Sequence, residues 1–304
     1  MGADTGSRVV SELLVLADEV RAALDGGRAV VALETTLVAH GFPAPDGLEV
    51  ALASEAAVRY DGAVPATIGV LDGRVRVGLD ADELERFTPE ARKLGPRDLA
   101  ACVVAGAVGA TTVGGTLAVA RAAGIRFLGT GGIGGVHRGY PTPPDVSADL
   151  LALVSAPVLV ACSGAKSLLD VPATTEFLET LGIPVLGYRT DTLPLFYTAG
   201  GGPPVPQRVQ SVGEAARTAS AHWQLGGCGL LLANPPPESL EVQSLIEEAL
   251  AEAERRGVSG QASTPFVLSY LHERSGGETL RVNRDLIVAN ARLAAEVAVA
   301  YAGP

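Results

Sequence analysis

Lysine is nearly absent from this chain. Of the 23 lysines and arginines among its 304 residues, only Lys93 and Lys166 are lysines. Where any cation suffices, the sequence uses arginine. The two exceptions suggest positions where a guanidinium fails, since an amine can lose its proton and attack a carbonyl and a guanidinium effectively cannot; the alternative is chance survival of two surface lysines. Aromatic residues are only 4%, so the core must be built from Ala, Val and Leu. Three cysteines, Cys102, Cys162 and Cys228, are too scattered for a metal-ligand spacing and too few for a disulfide framework. They suit a reducing compartment, and a cytoplasmic enzyme is expected. Positive charge is scarce as well. A net charge of -11 argues against a nucleic-acid partner, though not against one small basic pocket. No apolar run reaches the ~18 uncharged residues that a membrane helix needs, so no membrane partner is expected. The first apolar stretch is broken by Glu12, Asp18 and Glu19 and reads as an amphipathic helix, not a secretory segment.

What remains is a globular balance, 47% hydrophobic and 19% charged. Short apolar runs alternate with amphipathic helices. Helices are expected over 8–25, 47–60, 81–92, 97–108, 116–123, 147–155, 172–181, 212–224, 241–256, 263–275 and 283–302. Strands are expected within 28–39, 125–129, 157–161, 183–188 and 229–233, with a hairpin over 63–79 turning at Asp72-Gly73. The fold class is therefore α/β: a layered α/β/α arrangement on a largely parallel sheet, plus a small antiparallel hairpin region. No linker or repeat interrupts 1–304, and a single domain is expected. Residues 195–207, rich in Gly and Pro, read as a loop serving as a lid or an excursion.

Four constellations could carry chemistry. Cys162-Ser163-Gly164-Ala165-Lys166 follows the strand PVLVA, where sheets of this class place their ligands. Desolvation there favours a neutral amine fit for imine formation; the bland alternative is a surface lysine opening a helix. Gly129 to Gly139 formally contains a dinucleotide fingerprint, but it runs into Tyr140-Pro141-Thr142-Pro143-Pro144, which cannot open a crossover helix. A dinucleotide site is excluded; an anion or sugar cradle beside His137 and Arg138, and a ligand-free tight turn, remain equal readings. Asp145 to Leu150 stands at a helix start. Capping by Asp145 or Ser147 is the simpler reading there, and a hard-metal or sugar-hydroxyl site the sharper one. Glu34 closes an apolar strand, where burial raises a carboxyl pKa toward acid–base work unless an arginine pairs with it. His40 reads equally as a loop histidine or a site residue.

The segments LETTLVAHGFP, GAVPATIGVLDGRVRVGL, FLGTGGIGGVHRG, DVSADL, CSGAKSLLD, LLLANPPPE and STPFVLSYLHERSGGETL, with a terminal Asn-rich helix, together resemble the pseudouridine-5′-phosphate glycosidase family, which includes related C-glycosynthases. The likeness runs in order along nearly the whole chain. It implies an α/β homotrimer that uses a divalent cation, usually Mn²⁺, and interconverts pseudouridine 5′-phosphate with uracil and ribose 5-phosphate. By that resemblance Lys166 is the imine-forming nucleophile, Glu34 the proton donor to the departing base carbon, and Asp145 the metal ligand. Lys93, Val113, Ser147, Ala148 and Asp149 would contact substrate. Thr130, His137 and Asn290 would contact the sugar phosphate or the base. The partners implied are a small-molecule sugar phosphate and a nucleobase-like acceptor. Flanking stretches depart from the family pattern: Pro43-Ala44-Pro45-Asp46-Gly47, Gly114-Gly115-Thr116, and Thr198 to Gln207. Those departures leave the acceptor open and keep a C-glycosynthase with a non-uracil acceptor as the alternative.

Overall fold

The computed structural model describes residues 12–142, 144–166, 168–258 and 263–303. Among them, strands join into one continuous mixed sheet. Its path is β1 (Leu14–Leu16), β4 (Arg74–Val77), β3 (Val64–Leu71), β2 (Val30–Glu34), β7 (Phe127–Gly129), β8 (Leu159–Cys162), β11 (Leu230–Ala233), β9 (Val185–Tyr188) and β10 (Gln207–Val209). A branch, β6 (Gly109–Thr111), leaves β3 and carries β5 (Arg92–Leu94). Only β3–β4 and β3–β6 are antiparallel. The expected α/β class with a small antiparallel region is what the chain adopts.

The layers follow from strand alternation. Val31, Phe127, Leu159 and Leu230 lie side by side across four strands and face the C-terminal helix, Glu278–Ala302, through Ala294 and Val297. Their sequence neighbours Ala32, Leu128, Val160 and Leu231 point the other way. There they join Leu117 and Ala120 of α1 (Val113–Ala123) and Leu150 and Leu153 of α2 (Ala148–Ser155). The remaining helices used below are α3 (Ser263–Arg274) and α4, the C-terminal helix.

The expected hairpin is β3–β4, and its turn is Asp72 at φ 52° followed by Gly73 at φ 73°. Two positive φ angles are the geometry that matches the twist of the flanking strands. Other expectations are corrected. The helix over 8–25 begins outside the described residues; within them, Leu14–Leu16 is a strand paired with β4, and the helix is Asp18–Asp25. An available sheet edge has captured an apolar triplet that also fits a helical stripe. The helix over 81–92 stops at Leu84, and the chain extends into β5. The helix over 97–108 contracts to a 3₁₀ turn at Pro96–Asp98 and Leu99–Val104, because the following residues must enter β6. The last helix starts at Glu278, not 283. The 195–207 loop is anchored at its start: Phe196 and Tyr197 are 3% and 1% exposed, and the Phe196 N–H donates to Ser163 O at 2.9 Å, while 198–207 are partly or fully exposed. Among the described residues no helix is long and apolar enough to cross a membrane.

Candidate active site

The chain leaves β2 toward β3 on one side and later returns to β2 with β7 on the other. Such a reversal opens a crevice beyond the carboxyl ends of the strands. Glu34 is the last residue of β2, Thr130 follows β7, and Ser163 to Lys166 follow β8. Three elements distant in sequence thus deliver their ends to one place.

The loops after β7 and β8 extend the sheet by a short parallel zipper. Ser163 N–H donates to Gly131 O at 2.8 Å, Ile133 N–H to Gly164 O at 3.1 Å, and Lys166 N–H to Ile133 O at 3.2 Å. Gly164 sits at φ 79°, and a Cβ there would collide with Pro194 O, so only glycine fits ahead of the lysine. Much of the glycine loop is held by packing and by internal hydrogen bonds. Thr130, Ile133, Gly134, Val136 and His137 all give their N–H groups to protein acceptors. The loop's glycines admit close neighbours: a Cβ on Gly132 would meet Phe196 at 2.7 Å, and one on Gly135 would collide with Thr174 Oγ1.

Glu34 is 6% exposed and accepts a hydrogen bond from Thr130 Oγ1 at 2.5 Å. No arginine pairs with it among the described residues. Burial raises its pKa, opposed by the charge of Lys166, by the Thr130 bond and by Lys93. Lys93 stands on β5. Burial, reinforced by the Lys166 charge, pushes its pKa down to about 8. Burial likewise lowers His137, against the pull of Asp145, whose Oδ2 is 3.8 Å from Nδ1. Burial pushes the Cys162 thiol up to about 12, which makes it unreactive.

These groups line a cavity of about 750 Å³, within the range of small-molecule sites. Glu34, Lys93, Val113, His137, Asp145, Ser147, Ala148, Asp149 and Lys166 are all on its wall. Ser147 is the N-cap of α2, accepting from Asp149 N–H at 3.2 Å, so the capping reading holds for it and not for Asp145. Asp145 lies on a short bridge in which its carbonyl accepts from His137 N–H at 3.0 Å. Asp149 is a brace: its two oxygens accept from Gly114 N–H and Gly134 N–H, each at 2.8 Å. The start of α2 faces the cavity, and helix N-termini favour phosphate.

A smaller, largely apolar side chamber opens from the same point. It shares Glu34, Thr36, Lys93, Lys166 and Thr264 with the main cavity and is bounded by Phe42, Phe196, Leu268 and Ile287. Thr130, His40 and Asn283 complete it. Asn290 lines neither space. Its Nδ2 donates to Thr130 O at 2.8 Å and Ser163 Oγ at 3.1 Å, and its Oδ1 accepts from Asn234 Nδ2 at 3.0 Å. The expected contact from Asn290 is therefore replaced by a bolt that ties α4 to the loops after β7, β8 and β11. The residues that sequence reasoning missed are Asn283, Phe196 and Thr264. Asn283 carried a usable signal, since it shares the i, i+4, i+7 stripe of Ile287 and Asn290.

No group of three or more His, Cys, Asp or Glu able to hold a metal occurs among the described residues. A hard divalent ion that keeps most of its waters needs only one carboxylate together with a substrate phosphate. Asp145, partly exposed on the wall beside the start of α2, fits that description.

Residues 19–300 match the family model described as indigoidine synthase A like protein. The chain belongs to this family. It is 49% identical to a pseudouridine-5′-phosphate glycosidase of Herpetosiphon aurantiacus, over 94% of this chain and 97% of that one. It is 47% identical to the enzyme of the same name from Sorangium cellulosum, over 96% and 94%. Among solved structures, the prealnumycin C-glycosynthase AlnA in complex with ribulose 5-phosphate superposes with a TM-score of 0.87 at 42% identity, over 96% of this chain and 98% of that chain. An indigoidine synthase A-like protein of Thermotoga maritima gives 0.86 at 37% identity, over 94% and 96%.

Proposed function

We propose that this chain reversibly cleaves the carbon–carbon glycosidic bond of pseudouridine 5′-phosphate, giving uracil and ribose 5-phosphate. The observation that carries the reading is the convergence of an amine and a buried, proton-retaining carboxyl, Lys166 and Glu34, where the two chambers meet. The 49% identical Herpetosiphon glycosidase supports the same chemistry.

A bond from ribose C1′ to an aromatic carbon has no heteroatom to leave on. The Lys166 nitrogen lone pair adds to C1′, and the ring oxygen departs from C1′ and takes a proton, opening the sugar. Glu34 then protonates the base carbon. The C1′–C bond breaks, its electrons restore the base's π system, and the nitrogen lone pair forms C1′=N. Water hydrolyses that imine, freeing Lys166 and ribose 5-phosphate. Run backwards, the same groups join the fragments. Lys93 and the start of α2 would neutralise the phosphate. A divalent ion such as Mn²⁺ at Asp145 would add positive charge for the same anion. A homotrimer belongs to this reading; Leu151 of α2, apolar and 64% exposed, suits burial against a second copy.

A second reading, a C-glycosynthase using a non-uracil acceptor, is favoured by the likeness to the prealnumycin enzyme. Supplying pseudouridine 5′-phosphate with Mn²⁺ and measuring uracil tests the first; no uracil removes it. Ribose 5-phosphate offered with candidate acceptors separates the two by the product formed. Borohydride with ribose 5-phosphate should leave a covalent adduct on Lys166. Lys166→Ala should abolish turnover, and Lys166→Arg should not restore it.

A further inference from the structure

Glu34 and Thr130 are neighbours across two strands. Leu33 pairs with Gly129 in the parallel ladder of β2 and β7, so the residue after each points to the same face. Thr130 is 1% exposed, and its Oγ1 lies 2.5 Å from Glu34 Oε1. Its backbone is tied on both sides. The N–H donates to Ala161 O at 3.0 Å, and the carbonyl accepts from Asn290 Nδ2 at 2.8 Å. A β-branched side chain on a pinned backbone has little rotamer freedom, so the hydroxyl is held against the carboxyl.

A buried hydroxyl must place its hydrogen on an acceptor. Among the described residues, Glu34 Oε1 is the one hydrogen-bond partner of Thr130 Oγ1. Thr130 therefore donates, and Oε1 accepts whether the carboxyl is charged or neutral. In the neutral acid the accepting oxygen is the carbonyl one. A proton on Oε1 would instead point at Thr130 and away from the cavity that Glu34 lines.

We infer that Thr130 is a positioning residue for the proton transfer: it holds Glu34 Oε1 as the acceptor oxygen, keeps the acid proton on Oε2, and steadies the carboxylate that remains once that proton has moved to the base carbon. The proton leaves Oε2, and the O–H bonding pair stays on the carboxyl. The Thr130 bond then becomes charge-assisted, roughly twice as strong as one between neutral groups. A contact that tightens along the reaction lowers the barrier. The other charges facing Glu34 are Lys166 and Lys93, which favour the carboxylate, and Asp149, which opposes it while its own oxygens are held by Gly114 and Gly134 N–H.

The inference rests on the acid role proposed for Glu34, and the readouts separate the two. Thr130→Val keeps the shape and removes the hydroxyl. Its kcat on pseudouridine 5′-phosphate should fall by about 10-fold while KM stays within about 2-fold. Borohydride adduct formation with ribose 5-phosphate should be unchanged. The Glu34 carboxyl band can be isolated in infrared spectra by subtracting the Glu34→Gln counterpart of each enzyme. In Thr130→Val it should titrate at higher pH, because a donor that favours the charged form is gone. Thr130→Ser should return both kcat and the titration most of the way to wild type. A titration that stays put or moves down in Thr130→Val overturns the inference, and so does a serine variant no better than valine. Loss of the adduct in Thr130→Val overturns it too, because Thr130 would then be supporting Lys166. A titration that moves up in an enzyme whose wild type releases no uracil would strike the glycosidase reading and uphold the pairing of Thr130 with Glu34.

Discussion

Asn283 and Asn290 lie on one face of one helix, about two turns apart, and both are buried. Asn290 is tied to three elements, whereas the Asn283 carbonyl meets nothing. The same division runs through the whole site. Many polar groups of the frame around the cavity are paired: the zippered loops, the Asp149 brace, and the threonine cluster in which Thr35 Oγ1 donates to Ile68 O at 2.8 Å and accepts from Thr111 N–H at 2.9 Å. The groups facing the cavity are strained electrostatically, with Glu34 raised, Lys93 depressed and His40 held neutral. A rigid, satisfied frame is what permits an unsatisfied interior to persist. Polar groups that look alike in sequence therefore divide into those paired within the protein and those left without a protein partner.

Substitutions should divide in the same way. The largest effect is expected from Glu34→Gln, which removes the proton while keeping the shape. Turnover should fall by about 10²–10⁴-fold, the usual contribution of one general acid. Borohydride trapping of ribose 5-phosphate should continue, because the amine is untouched; a Glu34→Gln enzyme with near-normal kcat would remove Glu34 from the chemistry. Next comes Asn290→Leu on the frame side. It strips partners from Thr130 O, Ser163 Oγ and Asn234 Nδ2, and should cost about 3 kcal/mol of stability in urea unfolding. Asn283→Leu, the same change on the cavity side, should cost almost nothing. Equal losses for the two asparagines would erase the distinction between frame and interior. Smaller again is Gly132→Ala. Its new methyl must displace the Phe196 ring, at an expected cost of about 1–3 kcal/mol.

Much of this was legible in the chain, and what was not has physical causes. Glu34 and Lys166 could be read because a charge closing an apolar strand, and a lysine in an arginine-rich chain, are conspicuous. The Asp72-Gly73 turn could be read because positive φ at both positions restricts the residues that fit. Lys93 was noticed for its rarity and, by the resemblance, as a substrate contact, but its strand was missed, because β5 and β6 are three residues each, too short for any periodicity. The glycine loop left two equal readings, because its sequence records small residues and not where the N–H groups are directed. Asn283 and Asn290 could not be told apart, since nothing local distinguishes an amide with three partners from one without.

The smallest effect also bears on the comparison, because it asks whether the unsatisfied interior costs stability. Glu34 has a folded-state pKa above its ordinary 4.5, chiefly from burial. The native state therefore holds a proton that the unfolded chain has already released. The resulting stabilisation is full below pH 4.5 and is lost as pH rises through the folded pKa. A carboxamide in its place carries no charge at any pH. Glu34→Gln should thus melt close to wild type in mild acid and a few degrees above it on the alkaline side, the gap widening with pH as the wild-type carboxyl ionises in its buried position. The Asn290→Leu deficit should stay constant over the same range, since no proton is involved. A Glu34→Gln gap that narrows with rising pH would mean that Lys166, Lys93 and Thr130 outweigh burial, and that the carboxylate is held ionised as part of the frame.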